Sequence, residues 1–220
     1  MIQTFVKLEP ISHKYFDVNG KQYTSVSKVL DSLEHPFDAE GISRNCAGRG
    51  KYVGMTQQQV KDQWAAKAKE ANDHGTRIHE ALERFTKSFT ILEKDNELAP
   101  MINEVCADYS EYKRTYDEIC LYSAKHMIAG TADKILLTKV KSGMVDIEDY
   151  KTNIAKGIYY HSEYNKYMKG PVSHLQQCNF NRYSLQLAIY GVMYEMLTGH
   201  QVRSLWIRFI EPITFKPRRI

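Results

Sequence analysis

The stretch VDIEDYKTN, residues 145–153, puts a carboxylate and a lysine two positions apart behind a short apolar run. Side chains alternate along a strand, so Lys151 shares a face with Asp149, Ile147 and Val145, while Glu148 looks the other way. A carboxylate closing an apolar face beside an ammonium group can hold a divalent cation and stabilise charge on a phosphate. The same pair would also serve as a surface ion pair at a strand end. A second strand bears on the choice. In GTADKILL, Asp133 has the parity of Ile135 and Leu137, which are expected to face the core. An ionised carboxylate there is costly unless a metal, a charged partner or hydrogen bonds compensate it; the alternative is an Asp that caps a loop near Gly130-Thr131. Adjacent strands lie about 4.8 Å apart, so Asp133 and Asp149 could reach one hard cation, and Mg2+ needs only a few protein oxygens beside its waters.

Helical segments offer further groups. In DHGTRIHEALERFTKSF, Ile78, Leu82, Phe85 and Phe89 recur at spacings of four, three and four, which makes one apolar stripe. His79 sits about 100° from Ile78, on the shoulder of that stripe, where a histidine can pack, face solvent or ligate. Glu83 lies one turn further on the same side. His74 does not make a zinc pair with His79, because zinc helices use a four-residue spacing and a third ligand nearby. In SLQLAIYGVMYEML, Gln186 and Tyr190 are one turn apart and share a face. They are either a polar flank of a core helix or contacts to phosphate and base.

These groups need a scaffold. KYFDVNGKQYTSVSKVL reads as a hairpin with a type I′ Asn19-Gly20 loop, followed by a short helix capped by Ser25 and carrying Val26, Val29 and Leu30. Residues 38–72 read as polar helix anchored by Trp64, and a second helix is expected over 99–117. Strands follow in EICLYSAKH, in MIAGTADKILLT broken at Gly130, and in the 145–153 stretch. A helix with the core stripe Leu185, Ile189, Val192 and Met196 comes next, and QVRSLWIRFI closes as a strand. Helix, three strands, helix, strand predicts an α/β fold with a central mixed sheet flanked by helices. Residues 1–72 form an N-terminal accessory layer of hairpin and helices, and residues 73–220 the core, the two making one unit.

Taken in order, GTRIH, GTADKI, DYKT and QLAIY resemble the motifs of the PD-(D/E)XK nuclease superfamily, with its restriction-endonuclease-like core, and within it the RecB-like exonucleases, near phage exonucleases and the mitochondrial genome maintenance exonuclease. They run from Gly75 to Tyr190. The resemblance implies a Mg2+- or Mn2+-dependent deoxyribonuclease. It implies His79, Asp133 and Asp149 as metal ligands with the backbone carbonyl of Tyr150, and Lys151 as the catalytic lysine beside Asp133 and Asp149. Gln186, Tyr190, Thr152 and Lys156 are then expected at the nucleic acid, and Glu83 as an acidic neighbour of the site. The proline of the superfamily's name is replaced by Ala132. The expected activity is exonucleolytic, in phage or bacterial recombination, repair or replication. A structure-specific endonuclease, a nuclease acting on RNA and a catalytically silent binding module are the alternatives.

Bulk properties agree with such a chain. Its 220 residues carry a formal charge of +4, a mild lean toward anionic partners. Fifteen tyrosines supply stacking surface, and IYYHSEYNKYMKG mixes them with lysines, as either a single-strand track or a pinned surface loop. The basic KPRRI end reads as a solvated tail. Cys46, Cys106, Cys120 and Cys178 have no CxxC spacing, so no iron–sulfur cluster and reduced thiols are expected. No apolar run suits a membrane span and the N-terminus lacks signal-peptide regions. A cytoplasmic protein that works on single-stranded DNA or DNA ends, alongside other recombination or replication proteins, is the expectation.

Overall fold

A computed structural model of the chain describes residues 5–139, 143–152, 157–162 and 165–220. The strands are β1 (Val6–Glu9), β2 (Lys14–Asp17), β3 (Gln22–Ser25), β4 (Tyr112–Ser123), β5 (Ile128–Thr138), β6 (Val145–Lys151), β7 (Val202–Ile210) and β8 (Pro217–Arg219). The helices are α1 (Val26–Ser32), α2 (Ala39–Cys46), α3 (Gln57–Ser88), α4 (Ala99–Tyr109) and α5 (Asn179–Thr198). They build the expected α/β architecture, a mixed sheet ordered β1-β2-β3-β5-β6-β7-β8 with β4 on the far side of β5. Helices cover both faces, and alternation along β5 slips near Asp133, since Ala132 joins the core of Ile135 although its parity is that of Leu136. Ile135 and Ala132 pack with Leu187, Tyr190 and Met193 of α5 and with Val26 and Leu30 of α1. Leu136 points oppositely, into a core with Ile78 and Leu82 of α3 and Ile102 and Val105 of α4.

Strand β5 organises the sheet. One edge pairs antiparallel with β4 throughout. The other edge is shared: β3 runs parallel to it at Ile128 and Ala129, and β6 pairs antiparallel from Lys134 to Leu137. Residues 130–133 therefore have no strand partner on that edge, and the sheet opens there.

Several expectations need correction. The polar segment and the GTRIH helix are one helix, α3, opened by a Thr56–Gln59 capping box, so the boundary drawn at residue 72 falls inside it. Its stripe holds at Ile78 and Leu82, but Phe89 is the left-handed C-cap and is 81% exposed. The helix expected over 99–117 ends at Tyr109, and residues 112–117 belong to β4; this tract is rich in strand formers and gains its hydrogen bonds from β5. Gly130 does not break its strand, since it pairs with Leu121. On α5 the buried stripe is Leu187, Tyr190, Gly191 and Tyr194, while Val192 and Met196 are exposed. That helix is apolar around most of its circumference, so period alone could not choose its inner face.

The hairpin and its Ser25 cap form as expected, with Lys28 N–H donating to Ser25 Oγ at 3.2 Å. Its loop is not type I′, because Gly20 has positive φ and Asn19 does not. The C-terminal tail is strand β8, not a solvated end. All four cysteines are free thiols. Among the described residues no helix is long and apolar enough to cross a membrane.

Candidate metal centre

The registers of β4, β5 and β6 put three carboxylates in one row. Asp117 pairs with Lys134 and Ile119 with Ala132, so Glu118 stands opposite Asp133. Lys134 pairs with Glu148, which carries Asp149 opposite Asp133 on the other side, where the strands part. Opposed residues share a face, and the row lies at the opening in the sheet. Glu118 has φ +50°, rare for a residue without a turn to justify it. Sequence reasoning did not find this residue. The β4–β5 register that selects it is set by a turn ending at Met127, whose positive φ no Gly or Asn announces.

The flanking helix α3 brings His79, whose Nδ1 lies 3.6 Å from Asp133 Oδ2. The same oxygen accepts the Tyr150 backbone N–H at 2.6 Å, and the Tyr150 ring stands edge-on to the imidazole at 5.3 Å. Ligand atoms of His79, Glu118 and Asp133 all lie within 4.8 Å of one another. Asp149 is buried beside them and pairs with Lys151 on its own strand. The Lys151 ammonium lies 4.9 Å from the ring centre of Tyr183.

Close packing holds these elements in place. A Cβ on Gly130 would come within 2.6 Å of Tyr190 Cε1, and one on Gly75 within 2.9 Å of Thr152 Oγ1. The first glycine lets the α5 tyrosine settle onto β5; the second lets α3 approach the end of β6. Both belong to the quoted GT motifs, and here their use is steric. Tyr190 is buried and accepts a hydrogen bond from Gln186 Nε2 at 2.9 Å, so it braces the strand and has no face free for a base. Gln186 is half-buried. Glu83 borders the groove but pairs with Lys87, and Lys156 lies outside the described residues.

Electrostatics favours a cation at the row. Burial, then Asp149, pushes the Asp133 carboxyl well above the usual carboxylate range. Burial, then Asp133 and Glu83, pushes Glu118 up to about 7. Burial, then Lys151, holds His79 below its ordinary value, so the imidazole is neutral and able to ligate. Desolvation works against the Lys151 ammonium, but Asp149 and Asp133 outweigh it and raise its pKa. Three carboxylates thus crowd around one ammonium, and an imidazole with two carboxylate oxygens suits Mn2+ or Mg2+.

This crowding has a measurable sign. A folded-state pKa raised above the unfolded value means that the folded chain gains stability as pH falls through it. In EDTA, the Glu118 carboxyl should therefore add stability as pH falls from about 8 to about 5, against the opposing contribution of the neutral His79. Glu118→Gln should then shift the change in Tm over that span toward destabilisation at low pH. An unchanged slope in the variant would mean that the Glu118 carboxyl is not crowded.

The groove over this centre has a volume of about 1310 Å³, larger than the few hundred to about 1,000 Å³ of small-molecule pockets. Residues of α3 form one wall and Tyr159 and Tyr183 stand on the other. Asn179 fixes that second wall, accepting from Tyr159 N–H at 2.7 Å and donating to the Gly157 carbonyl at 3.0 Å.

No protein-family model and no curated protein matches the chain. Among solved structures it is similar to a crystal structure described as "Putative exonuclease" from Eubacterium rectale, at 15% identity and a TM-score of 0.37, with 68% of this chain covered. This chain spans 57% of that protein's length.

Proposed function

We propose that this chain is a metal-dependent nuclease that hydrolyses phosphodiester bonds in DNA, acting from strand ends. The observation that carries the reading is the row of Glu118, Asp133 and Asp149 across three strands, with His79 and Lys151 at the same opening. His79, Asp133 and Glu118 would hold the metal, with Asp149 and the Tyr150 carbonyl beside them. When bound, Mg2+ or Mn2+ supplies polarisation of the scissile phosphate and a more acidic water. Lys151, kept charged by Asp149, donates to a phosphate oxygen and stabilises the negative charge that develops there. Its raised pKa makes it a poor proton acceptor at neutral pH, so its part is electrostatic. Tyr159, an exposed tyrosine of the groove wall, offers a ring face to the bases of an entering strand. Tyr190 and Gln186 keep α5 seated against β5 behind the site.

The test uses end-labelled linear DNA, single-stranded DNA and a closed circle, each with Mg2+, Mn2+ or EDTA. Degradation of linear and single-stranded DNA with the circle left intact is the expected result. Nicked circles would make the protein an endonuclease, and binding without cleavage in either metal would overturn the hydrolase reading.

A further inference from the structure

Resting on the nuclease reading, we propose that Phe37, Arg49, Lys51 and Lys67 form a second, remote station that grips the backbone of a nucleic acid strand running along α3 from the metal centre. The station is joined to the groove by contacts. Trp64 of α3 donates its indole N–H to Tyr52 Oη at 2.7 Å and packs edge-on to Phe37, with ring centres 5.5 Å apart. Lys51 Nζ lies 5.1 Å from the Tyr52 ring centre. Lys67 is one helical turn beyond Trp64 on α3, and the Tyr52 hydroxyl feels the charges of both Lys51 and Lys67. Lys67 also lines the groove that leads to His79.

The charges at this place are free to meet phosphates. Arg49, Lys51 and Lys67 are exposed and form no ion pair among the described residues, whereas the neighbouring Lys61 and Lys69 are held by Glu40 and Asp73. Glu70 lines the groove beside Lys67. Phe37 is 65% exposed, which leaves an aromatic face beside the cations. Cations with an open aromatic face suit a single strand, where phosphates meet charge and bases stack. Between the station and the centre, α3 presents Ala68, Ala71 and Gly75 to the groove, so a backbone can lie close to the helix. Lys67 and His79 are twelve residues apart, about 18 Å along a helix axis. A strand shorter than that cannot touch both ends.

The test measures binding in EDTA by fluorescence anisotropy, with single-stranded oligonucleotides of about three and about twelve nucleotides across a salt series. The combined Arg49→Ala, Lys51→Ala and Lys67→Ala variant should reduce the log–log salt slope for the longer strand by about 2, at about 0.7 per lost phosphate contact. Its loss of affinity should be at least about tenfold greater for the longer strand than for the shorter one. Lys69→Ala, already ion-paired and outside the station, should leave the slope unchanged. An unaltered slope in the triple variant, or no binding of either strand by the native chain, overturns the station. Because binding is read without metal, failure of cleavage in Mn2+ removes the nuclease reading alone. Cleavage together with an unaltered slope removes the station alone.

Discussion

Replacing Lys151 with methionine is expected to lower the rate of phosphodiester cleavage by about 10²- to 10³-fold, the scale on which a preorganised donor to a developing negative charge acts. Methionine keeps the length of the side chain and removes its charge. The ammonium is held between Asp149 and the ring of Tyr183, so it is already placed when a phosphate arrives. Its removal should not weaken metal binding, because it takes away a cation that competes with the metal for the carboxylates. Asp133→Asn should do the reverse and weaken Mn2+ binding, since it replaces a carboxylate oxygen within reach of His79 and Glu118. Asp149→Ala removes a carboxylate from the row and the partner of Lys151 together, and should abolish cleavage. Single-turnover cleavage at saturating Mn2+, paired with calorimetric Mn2+ titration, separates these effects. Full activity in Lys151→Met, or native Mn2+ affinity in Asp133→Asn, would remove the assignment.

The second large effect lies behind the site. Glu148 is fully buried and accepts from Arg208 Nε and Nη2 at 3.1 Å each, from Arg219 Nε at 2.6 Å and from Tyr109 Oη at 2.6 Å. Tyr109 also bonds to Tyr150 Oη at 2.7 Å, which ties the network to the strand carrying Asp149 and Lys151. Glu148→Ala would leave two guanidinium groups without their carboxylate. Breaking a buried pair in this way costs about 3–5 kcal/mol. Asp108, 2.8 Å from Arg208, retains part of the compensation, so the lower end of that range is expected. For a chain of this size that is a fall in Tm of about 10 °C. Thermal melts of the variant decide it, and a shift below about 2 °C would mean that the network contributes little.

Glu148 also marks how far a sequence could be read. Period-two alternation put it on the face opposite Asp149 and Lys151, and the structure agrees. Its partners could not be read, because Arg208 and Arg219 are 60 and 71 residues away and meet it only after β7 and β8 join the sheet. The basic end that holds Arg219 reads as a tail in isolation. Strand β8 forms because β7 offers it hydrogen bonds and Glu148 offers its arginine a buried carboxylate. The α5 stripe differs from its expected one for a related reason: an almost wholly apolar helix does not say which side is covered until a sheet is laid against it.

Local period and local chemistry suffice for the strand face of Asp149, the shoulder position of His79, the Ser25 cap, and the helix–strand order that makes a mixed sheet. The face of Asp133 does not follow from parity, since it reaches His79 of α3 while Ile135 packs on α5. Strand register and chain approach arise only when the elements pack. They put Glu118 opposite Asp133, ran α3 unbroken past residue 72, and packed Phe37 and Tyr52 against Trp64. The physical reason is range. Side-chain alternation and helix period act over a few residues and are written in them, whereas register and docking are fixed by contacts among distant segments that exist only once the chain has folded.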